Sequence, residues 1–575
     1  MYTASIREND QTGQSGLHRA EARPDNANED RRRRRALEVI WIAAILTLYA
    51  LHFPHILADF PNHSPWMDYA KYTDEGWYAN AAARFTLTGH WYRPGDFNPA
   101  VALPVWPVLL GVLFHFTGVS LAAARLLNLA ILGINLLLSS LVLRTHAPRW
   151  VALLAITILA ANPFLYAFSR LAILEQAVIC LMLLTWWLAL RLRAAEGKAR
   201  PAVALLIGAL FCLIVLTKTT ALLLTPSVLL LMAHACRFQR KPALRSIGIA
   251  AACAIGLWCA WYLLLIRPRF LADYEYFFQA NRWPQPVGVA AHLAAYWWAL
   301  HGLLWISPTL CIATLALLAV VATQFALVRH SAGRQGVLWR NPLAIASLLA
   351  IGGYVFLIGM QNHPQPRYYQ IPIYPLTFLL ALTTGELIRS AASWLRIAGA
   401  VATALIAGVC LAGTIRIAGY VRHPEYTWVG AATNLSRTIH EHSAPNTLLL
   451  SISGDEIQLM THLPSICDDY GMWPLPDRLR VYKPAWYAAW NEIDDDVQAE
   501  LEAQYSIYEV ASFPAFDDPD RNVLRLYRLE PRSSGEHHVD DSHWPDKKSQ
   551  DGEPIAERIL VAPELVASRA NLARP

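Results

Sequence analysis

The chain has 575 residues, of which 55% are hydrophobic and only 16% are charged. Because a soluble domain carries about 25% charged residues, this composition excludes an ordinary soluble globular protein. The net charge of +5 is modest, and its densest part, Arg31 to Arg35, stands directly before an apolar run. A basic run in that place is typical of a membrane topology signal rather than of a nucleic-acid site, so no nucleic-acid partner is expected.

Residues 1–35 are polar and basic, and they predict a disordered cytoplasmic tail. Residues 36–419 are dominated by apolar runs of roughly 17–25 residues, the length of helix that crosses a bilayer core. No small-residue cleavage site follows the first run, so an uncleaved anchor is expected. We predict eleven spanning helices, at residues 36–57, 121–143, 150–167, 171–190, 201–217, 219–235, 246–266, 303–328, 342–360, 371–388 and 397–415.

The distribution of basic residues gives the predicted orientation of these helices. With the N-terminus inside, every inner connection is basic, as the positive-inside rule requires. The sequence therefore predicts a multi-pass protein of the inner or plasma membrane, with a cytoplasmic N-terminus and an extracytoplasmic C-terminus. The basic residues of the inner connections are Arg144, Arg149, Arg191, Arg193, Lys198, Arg200, Arg237, Arg240, Lys241, Arg245, Arg329, Arg334, Arg340, Arg389 and Arg396.

Two long segments follow on the predicted outer side. Residues 58–120 contain a helix-like stretch over 74–87 and a proline-interrupted apolar stretch over 103–116. We interpret the second stretch as a helix lying along the membrane surface, where aromatic residues and amphipathic faces are favoured. Residues 267–302 are rich in Trp, Tyr and Phe and are assigned to an outer loop.

The C-terminal part of the chain predicts a soluble outer domain over 420–530, followed by a mobile polar tail over 531–575. Its hydrophobic periodicity alternates between that of helices and that of strands, which predicts a small α/β unit. The predicted elements are helices at 428–442 and 455–462 and strands at 447–452, 505–513 and 522–529.

Two adjacent carboxylates, Asp74 and Glu75, stand just outside the membrane at the start of a predicted helix. Their simplest role is structural: Thr73 would cap the helix, and acidic residues in a first turn suit the helix dipole. The functional alternative is that a carboxylate here acts as a general base on a substrate hydroxyl. The local sequence leaves both interpretations open.

The segment SRLAILE places Arg170 in a short outer hairpin and Glu175 inside the next predicted span. An ionisable side chain at membrane depth is costly and is by default a functional candidate. An ion pair between Arg170 and Glu175 is the structural alternative, although five residues is a poor spacing for a pair on one helix.

Further cations stand at outer turns, against the bias that keeps basic residues inside. Lys218 lies in the tight turn LTKTT, and Arg367 precedes Tyr368 in the segment RYY. Such cations could bind lipid headgroups non-specifically. Alternatively, together with Arg170 they form one anion site, because arginine binds phosphate bidentately and lysine acts as a point charge.

Four segments, taken in chain order, resemble the GT-C superfamily of glycosyltransferases, in the arm that holds protein O-mannosyltransferases and aminoarabinose transferases. They are TDEGWYA at 73–79, SRLAILE at 169–175, LTK at 216–218 and RYYxxPxxP at 367–375. The resemblance covers roughly residues 36–390. It implies a polytopic α-helical membrane protein of GT-C fold with a catalytic first outer loop over 58–120, and the small C-terminal α/β extracytoplasmic domain fits the same plan.

The resemblance also implies roles for individual residues. Asp74 matches the catalytic carboxylate, and Glu75 matches its neighbour, which positions the acceptor or, in some members, a metal. Glu175 stands where the superfamily usually has Asp, as a supporting residue. The residues that would hold the donor phosphate are Arg367, Lys218, Arg170 and Tyr368.

The implied activity is transfer of a sugar from a polyprenyl-phosphate donor to an acceptor hydroxyl on a lipid, a glycan or a protein, with inversion. No cofactor is indicated. The need for a divalent metal stays open, because a monophosphate donor lacks the diphosphate that usually demands a divalent ion. Neither an HExxH motif nor a paired-cysteine zinc pattern occurs. Aminoarabinose transferases carry an acidic–basic EKP segment where this chain reads VALP at 101–104. This departure argues against lipid A as the acceptor and against a loop-built zinc site.

Two other classes of protein remain as alternatives. A transporter or flippase of lipid-linked saccharide would also have many spans, but it would more often place charges near the bilayer midplane. A membrane anchor for the C-terminal domain would need far fewer spans.

Overall fold

A computed structural model of the chain describes residues 24–59, 66, 68–195, 197, 199–282, 285–328, 338–361, 365–443, 447–515 and 521–532. The chain divides into two compact units, residues 1–47 and residues 48–575. Most of the two predicted tails lies outside the described residues.

The first helix, α1 (Pro24–Ala50), begins within the segment for which the sequence predicts disorder. Residues 24–35 are therefore helical, which corrects that part of the prediction. The reason lies in their composition: a proline suits the first position of a helix, and the following Glu, Arg and Ala residues are good helix formers.

Between α1 and the C-terminal sheet region, which begins with α17 (Thr427–His442), the described residues form fifteen further α-helices. They are α2 (Asp74–Thr88), α3 (Val105–Thr117), α4 (Leu121–Leu143), α5 (Arg149–Ala160), α6 (Pro163–Ser169), α7 (Glu175–Arg191), α8 (Ala199–Thr217), α9 (Thr225–Ala235), α10 (Arg240–Trp261), α11 (Leu271–Ala280), α12 (Val289–Ile306), α13 (Pro308–Val328), α14 (Pro342–Gln361), α15 (Gln370–Ile388) and α16 (Ser393–Arg422).

Among the described residues, eight helical segments are long and apolar enough to cross a membrane, or nine if the bent pair α5 and α6 forms one span. The protein is therefore a multi-pass membrane protein. This number is smaller than the eleven spans that the sequence predicts, because some predicted spans form helices that are too short in the described part of the chain. Helix α7 has 17 residues because it begins only at Glu175. In the predicted span 219–235, a 3₁₀ segment takes the first six residues and leaves α9 with 11.

One span was missed by the sequence prediction. Residues 289–302, assigned to an aromatic outer loop, and residues 303–306, assigned to the next span, together form α12, which meets the length and hydropathy criteria of a span. Its mean hydropathy of 1.2 is the lowest of the eight segments. Trp and Tyr are amphipathic and lower the hydropathy of a helix without making it less suited to the membrane interface. The predicted orientation, with a cytoplasmic N-terminus and an extracytoplasmic C-terminus, therefore stays a prediction.

The C-terminal part contains a five-stranded sheet in the order β2-β1-β3-β5-β4. Strand β1 is parallel to β2 and β3, whereas β5 is antiparallel to β3 and β4. The strands are β1 (Leu449–Leu450), β2 (Ser465–Ile466), β3 (Trp486–Trp490), β4 (Tyr505–Pro514) and β5 (Val523–Pro531); the helices are α17 (Thr427–His442), α18 (Gly454–Thr461), α19 (Leu475–Tyr482) and α20 (Asp495–Glu502).

Each face of this sheet carries its own apolar core. Trp428 and Leu435 of α17 pack with Trp486 on one face. Leu479 and Leu501 pack with Tyr487 on the other. The five elements predicted from the sequence are present at nearly the predicted positions, while β2, β3, α19 and α20 were not predicted.

The sheet region packs closely on α2, and Gly76 is the point of closest approach. A Cβ atom added at Gly76 would lie 2.1 Å from the backbone nitrogen of Glu456 in α18. The Gly76 N–H donates a hydrogen bond of 2.5 Å to Oε2 of Glu456. Residue 76 must therefore be glycine for α18 to cap the first turn of α2, and the sheet region belongs to the same compact unit as α2.

We expect Gly76→Ala to destabilise the protein by about 1–3 kcal/mol, the usual cost of overpacking a close contact. Thermal unfolding in detergent micelles measures the change. The control is Gly248→Ala on α10, where an added Cβ would meet no atom within 4 Å. Equal stability of the two variants would show that α2 and α18 do not approach each other in this way.

Candidate active site

Asp74 is the first residue of α2 and is almost fully buried, with 1% of its surface exposed. Thr73 does not cap the helix with its side chain. Its hydroxyl instead donates a 3.3 Å hydrogen bond to Oδ1 of Asp74. The capping role that the local sequence suggested for Thr73 is therefore wrong, and the helix start is capped by Glu456 instead.

Arg367 joins Asp74 to a second carboxylate, Asp68. Its Nε lies 2.9 Å from Oδ2 of Asp74, and its Nη1 forms an ion pair with Oδ1 of Asp68. The backbone N–H of Arg367 also donates to Oδ2 of Asp68, at 3.0 Å. All three residues are buried, so the guanidinium is fixed between the two carboxylates.

A second buried ion pair joins Lys218, just after α8, to Glu175 at the start of α7. Tyr368 links this pair to Arg367. The Lys218 Nζ lies 4.2 Å from the centre of the Tyr368 ring, and the Arg367 guanidinium carbon lies 5.0 Å from it. Both distances are within the range of cation–π attraction.

These residues form one electrostatic cluster around Asp74. Burial raises the pKa of Asp74 to about 6, opposed by the positive charge of Arg367. The negative charges of Asp68 and Glu175 raise the pKa further, and Lys218 lowers it. A carboxylate with a pKa near 6 is ionised at neutral pH and accepts a proton more readily than an ordinary aspartate.

One oxygen of Asp74 is ion-paired but accepts no hydrogen bond from a described residue. This oxygen is Oδ2, and the Nε–H of Arg367 is close to it but not aligned with it. Oε2 of Glu175 is likewise buried without a hydrogen-bond partner among the described residues. Unsatisfied buried acceptors are costly and point to a group that a substrate completes.

Glu75, next to Asp74, faces different partners. Its carboxylate accepts two hydrogen bonds from Arg125, at 2.9 and 2.6 Å. It accepts a third, at 2.7 Å, from the backbone N–H of Ala172. These contacts occupy both oxygens and favour a structural role for Glu75, which ties α2 to α4 and to the segment before α7.

Arg170, predicted to bind phosphate, is engaged elsewhere. Its Nη1 donates to the carbonyls of His52 and Pro54, both at 2.8 Å, and to the hydroxyl of Tyr166 at 3.1 Å. Its Nη2 donates to the carbonyl of His55. The side chain therefore holds the segment that follows α1. The predicted alternative, an ion pair of Arg170 with Glu175, is not formed, since Glu175 pairs with Lys218.

Of the predicted site residues, the structure brings together Asp74, Glu175, Lys218, Arg367 and Tyr368 from four separate segments. Asp68 completes the group and was missed. The only available signal was its place in the outer loop shortly before the TDE segment. In the described part of the chain, no three His, Cys, Asp or Glu side chains gather in a way that could hold a metal ion.

The structure is similar to that of ArnT from Cupriavidus metallidurans, solved bound to undecaprenyl phosphate: TM-score 0.55, 14% identity, 85% of this chain and 98% of that chain covered. The apo state of the same protein gives a TM-score of 0.54 at 15% identity, with 86% of this chain and 98% of that chain covered. A third structure is that of archaeal oligosaccharyltransferase AglB from Archaeoglobus fulgidus, in complex with an inhibitory peptide and a dolichol-phosphate. It gives a TM-score of 0.48 at 12% identity, with 85% of this chain and 74% of that chain covered.

No family model matches the chain. No curated protein matches it either. The structural similarity to ArnT confirms the GT-C fold that the sequence resemblance predicts.

The pair of Glu75 with Arg125 gives a stability prediction. Arg125→Met should leave Glu75 buried without its partner and destabilise the protein by about 3–5 kcal/mol. Unfolding in detergent measures this change. The control is Arg389→Met, which breaks the partly exposed pair with Glu386 and should cost no more than about 1 kcal/mol. Similar losses in the two variants would contradict the structural role of the buried pair.

Proposed function

We propose, from the premise that the chain has the GT-C fold, that it is a membrane glycosyltransferase that uses a polyprenyl-phosphate sugar as donor. The acceptor is a hydroxyl group of a lipid, glycan or protein on the extracytoplasmic side. The observation that carries the proposal is the buried cluster in which Asp74, whose Oδ2 accepts no hydrogen bond from a described residue, adjoins two cations, Arg367 and Lys218.

The two cations suit the phosphate of the donor because each keeps unused donors. Nη2 of Arg367 makes no hydrogen bond with a described residue, and Lys218 uses one of its three protons on Glu175. Charge-assisted hydrogen bonds to phosphate would stabilise the negative charge that develops as the lipid phosphate leaves. ArnT, solved with undecaprenyl phosphate, supports this class of donor.

An apolar cavity lined by Pro366 and Tyr369, which stand close to Arg367 in the chain, suits the lipid chain of such a donor. The cavity has a volume of about 440 Å³ and lies between α12, α14 and the segment 366–369. Gly302 and Ala299 of α12 face Tyr369, whose hydroxyl donates to the Ala299 carbonyl at 2.8 Å. Trp298 and Trp305, at the rim, are largely exposed. An isoprenoid chain could therefore pass from the bilayer to a phosphate held by Arg367.

The proposed reaction uses these residues in the following way. Asp74 takes the proton of the acceptor hydroxyl, and the hydroxyl oxygen bonds to the anomeric carbon of the donor sugar. The bond between that carbon and the phosphate oxygen breaks, and the phosphate leaves with the electron pair, facing Arg367 and Lys218. A single displacement of this kind inverts the configuration of the anomeric carbon. Glu175 supports the site by holding Lys218.

Asp74→Asn tests the role of the base. The amide has the same size but cannot take the proton, so turnover should fall by about 10²–10⁴, the usual contribution of a positioned general base. Steady-state transfer of a labelled sugar from a polyprenyl-phosphate donor measures it. The control is Glu509→Gln, which removes a carboxylate from an exposed pair with Arg525 and should leave turnover unchanged.

The same assay over a range of pH gives an independent check. Asp74 accepts a proton only when it is ionised, so wild-type turnover should fall as the pH drops below about 6. The residual activity of Asp74→Asn should lack this acidic limb. An Asp74→Asn protein that is folded and keeps a tenth or more of wild-type turnover would contradict the assignment of Asp74 as the base.

Arg367 should contribute mainly to donor binding. Loss of a charge-assisted contact costs about 1.5–3 kcal/mol, so Arg367→Ala should weaken donor binding by roughly ten- to a hundredfold. Arg367→Lys should recover only part, because the planar guanidinium is lost. Binding of an unreactive polyprenyl phosphate measures the effect.

Arg389→Ala, on a surface pair, is the control for this series. Arg170→Ala is a useful contrast: it should lower stability and leave the affinity of the folded protein for the lipid phosphate unchanged. Normal binding by Arg367→Ala would show that the donor phosphate lies elsewhere.

A further inference from the structure

A second cavity, of about 420 Å³, lies away from the Asp74 cluster and is rich in positive charge. Three arginines, from the segments after α7, after α9 and before α14, converge on it. Its lining residues are Arg193, Leu230, His234, Arg237, Phe238, Arg340, Pro342 and Ile345. No acidic residue is among them, and half of the lining is apolar.

The two sites lie at opposite ends of α7. Glu175, the first residue of α7, belongs to the Asp74 cluster, whereas Arg193 follows the last residue, Arg191. A helix of 17 residues is about 25 Å long at 1.5 Å per residue. The basic cavity is therefore separate from the proposed active site, and it lies at the end of the bundle that the sequence assigns to the cytoplasmic side.

The described residues supply no carboxylate partner for the arginines at this cavity. In the part of the chain that the structure describes, no ion pair or side-chain hydrogen bond involves Arg193, Arg237 or Arg340. The ring of His146 lies 5.6 Å from that of His234. Burial, and then the positive charges of His234 and Arg193, lower the pKa of His146 to about 4. The two smaller contributions show that positive charge collects near this cavity, whereas burial would lower the pKa of a histidine in any apolar place.

The backbone at the rim of the cavity is strained. Arg237 and Phe238 both have φ of 54°, in the left-handed region that residues other than glycine rarely adopt. Two hydrogen bonds hold the turn, from the N–H of Arg237 to the carbonyl of His234 at 2.8 Å and from the N–H of Phe238 to that of Ala233 at 2.9 Å. Strain of this kind concentrates at binding sites, and here it places an arginine and an aromatic ring side by side at the cavity.

The positive-inside rule accounts for basic residues in inner connections, but not for their convergence on a half-apolar cavity. We propose that this cavity binds the phosphate-bearing headgroup of an anionic membrane lipid. Arg193, Arg237 and Arg340 bind the phosphate, and Leu230, Phe238 and Ile345 contact the adjoining part of the acyl chains. Basic pockets between membrane helices at the cytoplasmic side suit such headgroups, and arginine suits phosphate.

A lipid in this place would tie together the ends of α7, α9 and α14. These helices also lead to the Asp74 cluster: α7 begins at Glu175, α9 follows the turn of Lys218, and α14 ends shortly before Arg367. Because the lipid binds the folded state, it should stabilise the protein in proportion to its affinity and concentration. The inference does not depend on the proposed transferase activity.

The test compares lipids of different charge on the full-length protein in detergent. Phosphatidylglycerol should raise the unfolding temperature of the wild type, and native mass spectrometry should detect its retention. The double variant Arg193→Gln/Arg340→Gln should bind phosphatidylglycerol at least about tenfold more weakly, as expected for lost charge-assisted contacts. The matched control is Arg245→Gln, an exposed arginine of α10 that does not line the cavity.

Three further measurements give the proposal a clear outcome. In phosphatidylcholine, the wild type and the double variant should have equal unfolding temperatures. This comparison also shows whether the double variant folds normally. Inorganic phosphate at the same concentration should protect the wild type weakly; protection equal to that of phosphatidylglycerol would overturn the assignment to a lipid. Equal phosphatidylglycerol affinity of the wild type and the double variant would overturn the site itself.

Discussion

The helical part of this protein depends on one constraint: charges buried at the ends of its helices must be neutralised by partners from other helices. Removing one member of such a pair leaves a buried charge, at a cost of several kcal/mol. Asp68 and Asp74 share Arg367, and Glu175 holds Lys218. The pairs therefore fix α2, α7, the end of α8 and the start of α15 relative to one another. The same pairing leaves the proposed base buried and only partly hydrogen-bonded, so stability and reactivity have a common origin.

The sheet region contributes to this arrangement through α18. Besides capping α2 at Gly76, it supplies Asp455, which accepts hydrogen bonds from Asn80 at 2.9 Å and from Arg84 at 3.2 Å. Arg84 also pairs with Asp96, at 2.7 Å. One side of α2 is thus held by polar contacts that exclude water. The position of Asp74 at the helix start follows from residues almost 400 positions later in the chain.

The sequence pointed to the ionisable residues of the proposed site more readily than to the residues that they contact. Glu175 stood out because an ionisable side chain at membrane depth is costly without a function. Lys218 and Arg367 stood out as cations at outer turns, against the positive-inside bias, and Asp74 as one of two adjacent carboxylates at a helix start. Asp68 could not be found in this way, since its role depends on Arg367, far away in sequence. Glu75 and Arg170 carried the same local signal. However, Glu75 accepts from the side chain of Arg125 on α4, and Arg170 donates to distant backbone carbonyls, and no local pattern reveals such partners. Helix α12 was missed for a different reason, because its Trp and Tyr residues lower its hydropathy.

The two ends of α7 show why the cations at the proposed active site can stand against the positive-inside bias. At the end that carries Glu175, Lys218 and Arg367 each have a carboxylate partner, so these two cations belong to pairs that add no net positive charge of their own. At the other end, Arg193, Arg237 and Arg340 line a cavity without acidic residues. The positive-inside rule depends on basic residues that are not neutralised, so of the two ends it applies only to the one near Arg193. This difference agrees with the predicted orientation, in which the Asp74 cluster faces the exterior. At the second end the described residues supply no neutralising charge, and an anionic lipid of the surrounding membrane would provide one.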